Sequence, residues 1–275
     1  MKNVKTNQIE NTTAVTENNV AMPAPEKKTR RRSESGFAKV LEAFARLRAL
    51  AVHFDQTRLG PPDDLTLEAL ERAYREAYDL QTAVGNARAD FRTAALERQL
   101  LIDNFDALAA QAVGQLAGRG AHPESVRDAR GYVQKIRGER IGEKAEQNPA
   151  SPHYNPNAKN ISASQTSSAA KIQTFLELID FLEAQTAYGS VRMAGLTIGE
   201  LRATVETAQY LHAESIEKAA DLTHRRGLRN RRFYLDEDNL CDLGLRYKEL
   251  VKGAYGTKSA EYKAIKAISF KKRHD

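Results

Sequence analysis

Apolar residues recur every three or four positions along most of this chain. Phe37, Val40, Leu41, Phe44, Leu47, Ala51 and Phe54 form one such stripe, which predicts a helix. Gly60-Pro61-Pro62-Asp63 stops it. Thr66 can cap the next helix, which carries Leu70, Tyr74, Ala77, Val84 and Phe91 on one face and runs to about Ile102. Asp103-Asn104 predicts a break or kink. Phe105, Leu108, Ala112 and Leu116 make a third helix, closed by Gly118 to Gly120. Pro123 opens a short fourth one with Val126, Ala129 and Val133. No run alternates cleanly between turn signals, so no sheet is predicted.

The pattern then starts again. Ile172, Phe175, Leu176, Ile179 and Leu182 form a stripe that Tyr188-Gly189-Ser190 ends. Thr197 and Glu200 have capping-box spacing, and Leu201, Val205, Ala208, Ile216 and Leu222 follow on a long helix. Asp236, Glu237 and Asp238 are expected to open the next helix, where acids suit the positive end. Its stripe is Leu240, Leu243, Tyr247, Leu250 and Ala254. Gly256 breaks it, and Ser259 caps a last helix lined by Tyr262, Ile265 and Ile268. Lys39-Val40 aligns with Lys171-Ile172, and Leu65-Thr66-Leu67 with Leu196-Thr197-Ile198, which indicates an internal duplication.

The expected fold class is therefore all-α, two tandem four-helix-bundle-like repeats behind a disordered N-terminal tail. Residues 1–33 read as the tail, 34–138 as repeat 1, 139–166 as a Pro-, Asn- and Ser-bearing linker, 167–271 as repeat 2 and 272–275 as a basic end.

Composition narrows the function classes. The mean hydropathy of the 275 residues is -0.58, and the longest apolar runs are too short to span a bilayer. Met1-Lys2-Asn3-Val4-Lys5 is followed by polar residues, so no export signal is expected. One cysteine excludes a disulfide framework or a cysteine-built metal site, and the cytoplasm is the default compartment. The net charge of +6 is concentrated at the two ends. Three clusters carry it: Lys27, Lys28, Arg30, Arg31 and Arg32; Arg225, Arg226, Arg229, Arg231 and Arg232; and Lys271, Lys272 and Arg273. These are the candidate polyanion-binding residues, to be weighed against ordinary solvated helix faces.

Other chemistry is thin. Asp221-x-x-His224 is one half of a di-iron pattern, but Asp90-Phe91-Arg92-Thr93 supplies no second half. Gly253 to Ser259 departs from a phosphate loop, because Thr257 separates Gly256 from Lys258 and a helix precedes it. A helix C-cap followed by a serine N-cap accounts for it. Cys241 reads as a small core side chain, and the histidines lack ligand spacing. Asp236-Glu237-Asp238 lacks the calcium-loop pattern. No catalytic residue, cofactor or metal is expected.

Asn160-Ile161-Ser162-Ala163-Ser164-Gln165, Gly195-Leu196-Thr197, Leu228-Arg229-Asn230-Arg231 and the closing Gly256-x-x-Ser259-x-x-Tyr262-Lys263 turn resemble a family of duplicated all-helical proteins of Bacteroidota-type bacteria. The resemblance covers about 160–273, and 37–140 only by architecture. It implies the helical fold and the duplication and carries no activity. The expected function is a non-catalytic scaffold or interaction protein that works through protein partners or self-assembly. The alternative is nucleic-acid or polyanion binding through the basic ends. No membrane partner is expected.

Overall fold

Side-chain caps define where the helices begin. The computed structural model describes residues 34–139 and 167–270; the tail 1–33, the linker from 140 to 166 and the end 271–275 lie outside the described residues. Every regular element among the described residues is helical. They are α1 (Glu34–Ala51), α2 (Gln56–Leu59), α3 (Leu67–Asp103), α4 (Phe105–Gly118), α5 (Pro123–Arg137), α6 (Ser168–Glu183), α7 (Ile198–Asn230), α8 (Leu240–Tyr255) and α9 (Ala260–Lys266). The Thr66 hydroxyl accepts from the Ala69 amide at 3.2 Å at the start of α3. Thr197 and Glu200 form the expected capping box on α7, and Ser259 accepts from the Tyr262 amide at 3.0 Å. Pro123 takes the first turn of α5, and Gly138, at φ 75°, closes that helix in a conformation that favours glycine.

Two helices are far longer than the rest. α3 has 37 residues and α7 has 33, so they measure about 55 and about 50 Å. They pair antiparallel. Glu76 meets Arg232, Gln81 meets Arg229, Val84 and Ala87 meet Leu222, and Arg98 meets Ser215. The remaining helices are too short to flank such a pair along its length, so they gather at its two ends. One core joins α1 and the start of α3 to α8, α9 and the buried Phe270. The other joins the end of α3, α4 and α5 to α6 and the start of α7. Between them lies a stalk whose buried apolar seam, among the described residues, is Val84, Ala87, Ala94 and Leu222, with Phe91 against it.

The cores thus do not divide along the two halves of the chain. The expected tandem units, 34–138 and 167–271, would each have enclosed a core of their own. Instead α4 and α5 lie at the opposite end of α3 from α1, and α8 and α9 lie at the opposite end of α7 from α6. The reason is length: a helix of about 55 Å carries the chain past any bundle that helices of 14 to 18 residues can build. Contacts across the halves are close. Phe105 stacks on Phe175 with centroids 4.4 Å apart, and Phe44 meets Phe270 edge-on at 6.2 Å. Gly244 lets α8 approach that ring, because a Cβ there would fall 2.6 Å from it. Two other expectations change. Ile216, placed on the α7 stripe, is 56% exposed. Asp236 to Asp238 precede α8 rather than open it, and Asn239 caps it by accepting from the Asp242 amide at 2.9 Å.

Shared cores make a direct prediction. Each half expressed alone, cut within 140–166, will show no cooperative unfolding, and mixing the halves will restore it. Cooperative thermal unfolding of either half alone would contradict the shared cores.

Candidate functional site

The end of α7 holds the one basic cluster that lies among the described residues. The helix there widens into a π-turn at Arg231–Leu235. The extra residue shifts the register. Phe233 becomes fully buried and meets Phe37 of α1 edge-on, with centroids 5.3 Å apart. Two neighbouring arginines meet internal partners. Arg229 is 3% exposed, lies over the Phe37 ring at 3.6 Å and donates to the Gln81 side-chain oxygen at 3.1 Å. Arg232, with 13% of its side chain exposed, pairs with Glu76 at 3.0 Å and Asp238 at 3.3 Å, and donates to the Asp238 carbonyl at 2.7 Å.

The other members stay nearer the surface. Arg231 pairs with Asp236 at 3.1 Å, and Arg225 with Asp221 at 2.8 Å. Arg226 is half-buried on the same stretch. Two members of the cluster that reads in sequence as an outward positive patch, Arg229 and Arg232, are therefore a joint that fastens α7 to α1 and α3. Four acids pair with the cluster as a whole, at Arg225, Arg231 and Arg232. Lys27, Lys28, Arg30, Arg31, Arg32, Lys271, Lys272 and Arg273 lie outside the described residues. Phe37, Phe233 and Phe270 belong to the same core, so the described chain begins and ends at the end where the arginine joint lies.

The remaining candidates have structural partners. Asp221 is held by Arg225, and His224 is exposed. Asp236 accepts from Arg231, and its carbonyl accepts from the Asn239 side chain at 2.8 Å. Gly256 ends α8 and Ser259 begins α9, as expected of two caps. Cys241 is 1% exposed, and burial, with Asp242 nearby, pushes its thiol up to about 12. A thiol held neutral is a poor nucleophile. No group of three or more His, Cys, Asp or Glu able to hold a metal occurs among the described residues. Among them too, no helix is long and apolar enough to cross a membrane.

One feature was not legible in the sequence. An open groove of about 870 Å³ runs between α1 and the end of α9. Val40, Ala43, Leu50, Ala267 and Ile268 give it an apolar floor, and Lys39, Glu42 and Arg46 stand along it. Its walls come from opposite ends of the chain, so no local pattern could reveal it. At the other end of the molecule, Tyr188 is buried and donates to the Leu196 carbonyl at 2.7 Å, and burial pushes its hydroxyl up to about 12. No protein-family model, curated protein or solved structure matches this chain.

The buried groups can be probed by mutation and by pH. Arg229→Ala removes the stack on Phe37 and the bond to Gln81 from a closed site and should cost about 3 kcal/mol in unfolding free energy; Arg229→Lys, which cannot stack a planar group on Phe37, should rescue little of it. A loss under about 1 kcal/mol would show that the joint is not structural. Alkaline stability is the second probe. Cys241 and Tyr188 ionise near 12 in the fold, above ordinary values of 9.0 and 10.0. Their stabilising contribution is complete below pH 9.0 and is lost as the pH rises toward about 12. Cys241→Ala should delay the onset of that loss to near pH 10.0, measured by denaturant unfolding across the range.

Proposed function

We propose that this protein is a non-catalytic helical scaffold, acting in the cytoplasm through protein partners or self-assembly. The observation that carries the reading is the separation of two apolar cores by a two-helix stalk. Such a form spaces two surfaces at a distance set by helix rise, and leaves long helix faces open to other chains. The chemistry-bearing residues add support, because those described serve caps, ion pairs and packing. The internal duplication belongs to the same reading. The order α1, α3, α4, α5 is matched by α6, α7, α8, α9, with one long helix second in each set. We extend it to membership of the duplicated helical family that residues 160–273 resemble.

A second reading, polyanion binding, is favoured by one observation: the described chain starts and stops at the end that holds the arginine joint. The two readings separate experimentally. Affinity purification from the native cells, with sizing of the purified protein, should give a stoichiometric protein partner or a self-oligomer. A monomer without either contradicts the scaffold. Binding to labelled DNA that weakens steeply between about 50 and about 200 mM salt would support the polyanion reading instead.

A further inference from the structure

The outer face of α3 is exposed along the whole stalk. Tyr78, Thr82 and Gly85 lead up to Ala89, and Thr93, Leu96 and Leu100 lead away from it; all seven are exposed. Tyr78, Leu96 and Leu100 are 54%, 59% and 64% exposed, which puts three large apolar side chains on this one face. The steps are four, three and four residues on either side of Ala89, which keeps the positions on one face of a straight helix. The face is about 33 Å long. It carries no charge, although 28% of the chain is charged. The next position on the same stripe is Arg75 at one end and Asp103 at the other. Arg75 uses its Nε for Glu71 at 2.8 Å and has 74% of its side chain exposed. Asp103 is exposed as well.

We propose that this face is the self-association surface: a second copy of the chain packs on it antiparallel, about a two-fold axis at Ala89. The proposal rests on the scaffold reading above and deepens it. Charge selects the occupant and its direction. Antiparallel pairing sets Arg75 against Asp103 of the second copy at both ends, whereas parallel pairing sets like charges together. Size fits the same geometry. Two crossing helices are closest at the middle and diverge outward. Ala89 meets Ala89 on the axis, Gly85 meets Thr93, Thr82 meets Leu96, and Tyr78 meets Leu100 where the gap is widest. One helix face of this length covers about 400 Å² per copy, or about 800 Å² in total. That is less than a stable interface needs, so the dimer is weak and concentration-dependent.

Cysteine cross-linking of the full chain tests this, since the native Cys241 is 1% exposed. Ala89→Cys should form a disulfide-linked dimer under mild oxidation. Thr82→Cys mixed with Leu96→Cys should give a linked heterodimer, while each alone stays unlinked. Ala89→Glu brings like charges together on the axis. It should raise the dissociation constant in sedimentation by more than about tenfold and leave the unfolding midpoint unchanged. The proposal is overturned if Ala89→Cys stays unlinked, or if Thr82→Cys links to itself. A stoichiometric partner recovered from cells alongside either result would leave the scaffold reading standing and remove only this surface.

Discussion

The antiparallel pairing of α3 with α7 is the constraint from which the rest of the structure follows. Each helix is at least twice as long as most of its neighbours, so it must leave the core where it starts and enter another. Once the two run side by side in opposite directions, α1 is brought to α8 and α9, and α6 to α4 and α5. The stalk has little apolar surface to bury, and polar bonds assist it. Arg98 donates to the buried Ser215 hydroxyl at 2.8 Å, and Ser215 in turn donates to the His212 carbonyl at 2.8 Å. Such bonds are each modest in water but strengthen where solvent is excluded, and they fix the register of two helices that could otherwise slide.

The ends are tied by charge as well as by packing. Arg48 is paired with Glu71 and lies over Tyr74 at 4.3 Å, which fastens α1 to α3. Hydrogen bonding from Arg75, with Arg48 beside it, holds the Glu71 carboxyl below its ordinary range. Arg246 reaches Asp64 and so links α8 to the turn before α3. These exposed pairs are individually weak. Arg229 and Arg232 differ because they are largely enclosed, so their packing and hydrogen bonds are not replaced by water when the side chain is removed. A net charge of +6 therefore says less about a polyanion partner than its linear distribution suggests.

Local features were legible in the sequence. Thr66, Ser259, Pro123 and the Thr197–Glu200 box act within one helical turn, so spacing alone identifies them. The stripes of α1, α6 and α8 were legible for the same reason. The pairing of halves was not, because Phe105 and Phe175 carry no mark of each other in their own neighbourhoods. Ile216 looked like a core residue because it fits the apolar content of α7, but the stalk has only one helix for it to face. Arg229 looked like surface charge because a sequence does not show which way a long side chain turns. The π-turn that follows it and buries Phe233 has no clear local signal. The groove between α1 and α9 was hidden for the same long-range reason as the cores.

The shared core is tested most directly by a pulsed-EPR distance between spin labels at His53 and Thr257, both exposed. These residues flank Phe54 and Tyr255, whose ring centroids lie 6.0 Å apart although they belong to opposite halves of the chain. The account predicts one narrow distribution centred at about 30 Å or less, given the reach of the few intervening residues. A broad distribution, or one centred beyond about 40 Å, would place α1 and α8 in separate units and contradict the exchange of helices between the two ends.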